Sequence, residues 1–180
     1  MVALFRPGIV INIIFIRDNI MEISLHLLEK SRNSSSRYMV SVDKSLGIKC
    51  DYIVEFKTSP EIIGYLSDYY SDPQELSNLY MVDFFDLAAL TDTSGKGQFH
   101  HYTDMKYTPD ELETFFIDGI AAVIIDFVEV TGAKIIFSAP VDEVLARYYN
   151  RLLIKYAHIV NYVYREDIKN EVGFYVIETA

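Results

Sequence analysis

Apolar residues recur along this chain at two spacings, and the changes between them mark out its elements. Residues 9–16 form an apolar run interrupted by Asn12, which reads as a buried strand. Segments 22–29, 37–42 and 51–58 read as further strands. A serine-rich loop at 31–36 and a turn at 44–47 separate them. Ser59-Pro60-Glu61 then opens a helix with Ile62, Ile63, Leu66, Tyr69 and Tyr70 on one face. Ser71-Asp72-Pro73 breaks it, and residues 75–78 resume it for a turn. Residues 79–90 read as an apolar strand running into a helical turn. The polar stretch 91–107, with Gly95 and Gly97, is the longest segment without a pattern.

From residue 108 the pattern sharpens into helix, strand, helix, strand, strand. Thr108-Pro109-Asp110-Glu111 places a hydroxyl at the N-cap, proline at N1 and glutamate at N3, which is a capping box. Residues 115–130 are apolar nearly all round. Asp118, Asp126 and Glu129 fall on one stripe through Ala122, and Gly132 is a natural stop. Residues 134–140 read as a short buried strand ended by Pro140. Val141, Val144, Leu145, Tyr148, Tyr149, Leu152, Leu153 and Tyr156 then recur at helical spacing. Asp142, Glu143, Arg147, Asn150, Arg151 and Lys155 fall on the opposite face. Strands around 159–164 and 172–178 follow, joined by a polar hairpin at 165–170.

These elements predict an α/β (α+β) fold, a mixed central sheet flanked by helices. At 180 residues the chain reads as a single domain, 1–180, with residues 1–20 as an N-terminal extension if Met21 is the natural start. No run is long enough to span a membrane. One cysteine, Cys50, excludes an intrachain disulfide framework and favours a reducing, cytoplasmic setting.

The net charge of −10 is unevenly placed. Residues 61–143 hold three Lys/Arg and sixteen Asp/Glu, a net −13, while the flanking segments are close to neutral. Such a field repels phosphates, so direct nucleic-acid binding is disfavoured. It suits a basic protein partner or a cationic small molecule, and it also serves solubility.

The order of elements resembles the GCN5-related N-acetyltransferase (GNAT) fold. That family has a central strand, a glycine-containing pyrophosphate loop, a helix, a strand splayed from its neighbour, a second helix and a final hairpin. Here these correspond to 79–90, 91–107, 108–131, 134–139, 141–157 and the last two strands. The resemblance implies acetyl-CoA as cofactor and N-acylation of an amine. The family's loop carries Arg or Gln, two residues, Gly, one residue, then Gly or Ala. This chain has Asp92-Thr93-Ser94-Gly95-Lys96-Gly97, so Gly95, Lys96 and Gly97 become the cofactor-binding candidates, with Asp92 where the family has Arg or Gln. About ten residues then precede the capping box, where the family's loop runs straight into its helix. A tyrosine on the family's second helix protonates the departing thiolate, which makes Tyr148 and Tyr149 catalytic candidates. Both also lie on the apolar face, where tyrosines pack.

Asp83, on the central strand, is a candidate general base for an ammonium substrate. Asp83 and Asp86 point to opposite faces of a regular strand. His100, His101 and Asp104 supply metal-ligand chemistry without a third defined ligand, so a solvated loop is the simpler reading and no metal is assigned. The chain has 14 tyrosines, several beside acids. Such a surface suits a non-catalytic module of inhibitor, immunity or nucleic-acid-mimic type gripping a basic partner. Tyrosines finishing a core are the plainer account. A homodimer is left open.

Overall fold

A computed structural model of the chain describes residues 21–30, 35–44, 47–100, 102–140, 143–157 and 161–179. The expected strand at 9–16, His101, Val141, Asp142 and the start of the strand expected at 159 lie outside these residues. Seven strands form a mixed sheet: β1 (Met21–Lys30), β2 (Ser35–Lys44), β3 (Ile48–Lys57), β4 (Leu79–Asp86), β5 (Ile135–Ser138), β6 (Tyr162–Tyr164) and β7 (Tyr175–Thr179). Their order in the sheet is β1-β2-β3-β4-β5-β7-β6. Strand β5 pairs parallel with β4 and antiparallel with β7, and β6 pairs antiparallel with β7. The fold is therefore mixed α/β.

The chain gathers into two compact units. The first holds β1 up to Glu29, Arg37–Val54 and Phe85–Val123. Strand β2 alternates strictly, with Ser36, Tyr38, Val40 and Val42 buried and their neighbours half-exposed, as period-two patterning requires. Asp86 caps a single 3-10 turn, Leu87–Leu90, by accepting from the Ala88 N–H. Helix α3 (Pro109–Thr114) opens on the expected capping box. Thr108 accepts from the Glu111 N–H, and the Glu111 carboxylate accepts from the Thr108 N–H. The helix widens into π-type turns at Phe115–Ala121. Gly119 sits there, and a Cβ on it would stand 3.1 Å from Val40 Cγ1. Only a glycine lets the widened turn lie this close to β2 without moving a fully buried valine.

The second unit comprises Lys30–Ser36, Glu55–Phe84 and Ile124–Ala180. It contains α1 (Pro60–Gly64), α2 (Pro73–Ser77), most of α4 (Ala122–Thr131), α5 (Glu143–Tyr156) and α6 (Glu166–Val172). The Ser59 hydroxyl and the Asp72 carboxylate cap α1 and α2, each with proline at the first helical position. On one face of the sheet Leu66, Tyr70, Leu79, Ile135, Phe137, Ile168 and Val176 form a buried cluster, flanked by Ile62, Ile63 and Tyr69. Each fully buried side chain of this size stabilises the fold by about 1.5–3 kcal/mol. On the other face Phe127 of α4 stacks on Phe56 at 3.8 Å and meets Tyr80 edge-on at 4.9 Å.

Two elements differ from the expectation: the helix opened by Ser59 ends at Gly64, before Leu66, Tyr69 and Tyr70, and the polar stretch after β6 is helical. Strands β6 and β7 are antiparallel neighbours, but α6 joins them rather than a polar hairpin. Ile168 is fully buried, Glu166 and Asp167 stand in the first turn, and Gly173 stops the helix with φ +80°. Burial of Ile168 makes a helix of a stretch that carries almost no other apolar residue.

Candidate functional site

The feature of the second unit with most chemical interest is how β4 and β5 part. Asn78, just before β4, accepts from the Lys134 and Ile135 N–H groups and ties the two strand starts together. The strands then pair only over Leu79–Met81 and Ile135–Phe137. Strand β4 runs on to Asp86, whereas β5 ends at Ser138. Ala139 and Pro140 follow, and proline has no N–H to extend a ladder. Ser138 still pairs with Tyr175 of β7. At Ser138, its last residue, β5 is paired with β7 and not with β4.

Helix α5 is pinned beside this point by a row of tyrosines. The Tyr175 hydroxyl donates to the Ala146 carbonyl at 2.7 Å, that of Tyr164 to Asn150 Oδ1 at 2.8 Å, and that of Tyr162 to the Leu153 carbonyl at 2.9 Å. Positions 146, 150 and 153 lie on one helical face, so the three bonds fix the helix in rotation. Burial pushes the Tyr162 phenol up to about 12 and raises those of Tyr164 and Tyr175, keeping all three protonated near neutrality.

Tyr149 stands where the strands part. Its ring lies 6.3 Å from Phe84, beyond the paired part of β4, and 5.8 Å edge-on from Tyr175, opposite Ser138. Tyr148, one residue earlier, carries the Arg151 guanidinium over its ring at 4.9 Å.

Asp83 is buried, and Lys57 Nζ donates to its Oδ2 at 3.1 Å. The same ammonium lies 2.8 Å from Glu55 Oε2. Desolvation pulls Lys57 down, but hydrogen bonds from the ammonium to Glu55 and Asp83 outweigh it and leave its pKa above the ordinary value. Successive strand residues face opposite sides of a sheet. Asp83 therefore faces away from its neighbour Phe84 and from Tyr149, and these two of the three catalytic candidates are not brought together.

Gly95, Lys96 and Gly97 lie in the first unit, on an exposed loop organised by Asp92. The Asp92 carboxylate accepts from the Ser94 N–H at 3.1 Å, the Lys96 N–H at 3.2 Å and the Tyr102 hydroxyl at 3.2 Å. Hydrogen bonds from Ser94, then those from Tyr102 and Lys96, hold this carboxyl below its usual range. Gly95 takes φ +81°, and the Lys96 ammonium lies over the Tyr102 ring at 5.6 Å. The backbone N–H groups of Ser94 and Lys96 thus point at the chain's own carboxylate.

Two further groups in the first unit do not stand out from sequence as constellations. The buried Cys50 thiol donates to Asp86 Oδ2 at 3.4 Å, and desolvation pushes it up to about 11, well away from nucleophilic chemistry. The Tyr52 and Tyr107 hydroxyls lie 3.2 Å apart, with both rings against Phe115. Their pairing depends on which strand and loop fold together, and no local motif announces it. His100 packs edge-on against Tyr102 at 5.9 Å. Among the described residues no group of three or more His, Cys, Asp or Glu is placed to hold a metal ion, and no helix is long and apolar enough to cross a membrane.

No family model matches the chain, and neither a curated protein nor a solved structure matches it.

Proposed function

We propose that the chain is a divergent GNAT-like N-acyltransferase that uses acetyl-CoA to acylate an amine-bearing, cationic substrate. The observation that carries this reading is the parting of β4 from β5 after three paired residues, with Tyr149 at the point of departure. A strand that runs on past its shorter parallel neighbour leaves backbone groups on that edge for a ligand. In this scheme the ammonium first loses a proton to solvent, the neutral amine attacks the thioester carbonyl, Tyr149 donates its proton to the departing thiolate, and its phenolate takes the proton released by the new amide nitrogen. Tyr148 is the less suited of the pair because its ring lies under Arg151. Asp83 faces the other side of the sheet in an ion pair, so it holds Lys57 rather than taking the amine proton. The acid excess of residues 61–143 favours a cationic acceptor. The free thiol of Cys50 fits a cytoplasmic setting.

Calorimetric titration with acetyl-CoA tests the proposal. Binding heat in the micromolar to millimolar range is expected. In Tyr149→Phe the binding should persist while kcat for a polyamine acceptor falls roughly 100-fold, the scale of general acid catalysis. Absence of heat at millimolar acetyl-CoA overturns it.

A second reading rests on Asp92. Because that carboxylate already takes two loop N–H groups, the same fold serves as a non-catalytic, acidic binding module. A lysine-rich peptide should then bind at low salt and be released as screening shortens the reach of exposed charges. Salt-independent binding, or none, removes this alternative.

A further inference from the structure

The buried cluster on the Leu79 face of the sheet is covered by short elements, α1 with five residues and α6 with seven. Ile62, Ile63, Tyr69 and Phe174 pack on the cluster and stay only half-buried. Tyr65 is 54% and Val172 43% exposed, and the Tyr65 ring lies 5.7 Å from that of Phe174. Each of these two rings follows a glycine, Gly64 or Gly173, at which an added Cβ would meet nothing within 4 Å. The cover is therefore apolar on its outer side as well, and open around its two rings. Its rim is acidic. Residues 59–78 and 165–174 hold seven Asp/Glu against two cations, Arg165 and Lys169, and Arg165 is engaged with Asp167 and Glu178. Desolvation, then a hydrogen bond to Glu171 and the nearby Asp68 charge, raises the Tyr69 phenol, so both carboxylates lie close to one ring. Asp68 and Glu171 are exposed, and among the described residues neither is in an ion pair.

We propose that this surface docks a basic segment of another protein, with an apolar side chain on the Tyr65 and Phe174 rings and a neighbouring lysine or arginine against Asp68 and Glu171. Charge complementarity selects this occupant. A nucleic acid would be repelled by the acidic rim. A second copy would bring the same acids across a two-fold axis, where like charges oppose each other. A wholly apolar partner would strip water from Asp68 and Glu171 and give nothing in return. A lysine or arginine answers both carboxylates, its stem covers apolar surface, and the face of a tyrosine ring attracts its charge. Exposed rings at the centre and charges at the edge match the core and rim of a protein interface. The surface lies on the opposite face of the sheet from Tyr80, Phe84 and Tyr149, and it uses no residue of the Asp92 loop. It is therefore independent of the acyl-transfer reading and gives a basic partner a place of its own.

Fluorescence anisotropy of a labelled Lys-Lys-Leu-Lys-Lys peptide with the full chain at low salt tests the proposal. Circular dichroism melts confirm that each variant folds, and all three substituted positions are exposed. The wild-type chain should bind the peptide, and glycine in place of its leucine should weaken binding. Tyr65→Ala and Glu171→Lys should each weaken it about tenfold. Glu129→Lys makes the same charge reversal on α4, across the sheet, and should cost much less. Binding that ignores the leucine, or that Glu129→Lys weakens as much as Glu171→Lys, is attraction to net charge alone and overturns the proposal. Either result leaves an acidic binding module standing without this surface, so the two ideas fail separately. Unchanged affinity in Tyr65→Ala, or no binding to the wild-type chain, also overturns the proposal.

Discussion

Lys44 joins the start of α3 to the loop before it, and replacing it with methionine isolates that connection. Its ammonium donates to Glu111 Oε2 at 2.8 Å and to the Met105 and Lys106 carbonyls, both at 3.1 Å. Its side chain is only 11% exposed and that of Glu111 17%. Three donors thus meet three acceptors. Methionine keeps most of the apolar stem and removes all three bonds. Hydrogen bonds to charged groups contribute about 1.5–3 kcal/mol each, and losing one partner of a buried ion pair costs about 3–5 kcal/mol. Two circumstances reduce that figure here. Glu111 keeps the N–H of Thr108, and the Lys106 carbonyl can turn to water. The expected loss is therefore about 2–3 kcal/mol.

Urea denaturation at neutral pH reads that loss as a shift in midpoint with unchanged slope. The pH dependence supplies a second readout. The hydrogen bond from Lys44, then that from the Thr108 N–H, holds Glu111 below its ordinary value of 4.5 in the folded chain. A carboxyl depressed on folding contributes stability that is complete above its unfolded pKa and fades as pH falls through the folded one. Stability of the wild-type chain should therefore drop below about pH 4.5, and part of that drop should vanish in Lys44→Met. A loss under about 0.5 kcal/mol, the scale of an ordinary surface change, would mean that the connection does not bear on stability. An equal cost of Lys44→Met in a Glu111→Gln background would do the same, since the two side chains would then be uncoupled.

Three further outcomes are expected. Tyr175→Phe should lower stability by about 1 kcal/mol through loss of its bond to the Ala146 carbonyl, read as a lower Tm, and an unchanged melt counts against the pinning of α5. Iodoacetamide at pH 8 should alkylate Cys50 roughly 100-fold more slowly in the native chain than in urea, followed by intact mass, because its thiol is pushed up to about 11; equal rates contradict the burial. Asp92→Ala should release the Ser94 and Lys96 N–H groups and speed their hydrogen exchange, whereas unchanged protection would show that Asp92 does not hold the loop.

Local devices were legible in the sequence, and long-range ones were not. The Thr108 box and the β2 strand each lie within one element, so spacing alone reveals them, whereas the face read from Ser59 runs past the end of α1 at Gly64. Helix α6 escaped because seven residues with one buried apolar position cannot display a helical period. The π-type turns at Phe115–Ala121 escaped because a wider turn follows from packing and has no residue signature of its own. Asp83 stood out as a carboxylate on an apolar strand, but its partner Lys57 lies 26 residues away, and only strand register joins them. That partner gives Asp83 an ion pair that its place on the strand does not reveal.

The tyrosines show how such partners alter a functional reading. From composition they suit either an interface or a core. In the folded chain the hydroxyls of Tyr162, Tyr164 and Tyr175 bond α5, that of Tyr70 bonds Glu178 at 2.8 Å, and those of Tyr52 and Tyr107 face each other. The proton of each donating hydroxyl is committed inside the fold, so these six weigh less for a binding surface than composition suggests. What separates the two functional readings is then narrow. The acyltransferase proposal rests on the short β4–β5 pairing beside Tyr149, while Asp92 occupies the Ser94 and Lys96 N–H groups of the loop. If the fold is catalytic, releasing those groups in Asp92→Ala should tighten acetyl-CoA, because a like charge leaves the loop and two donors are freed. If it is a binding module, the same change should leave acetyl-CoA unbound and weaken only a cationic partner.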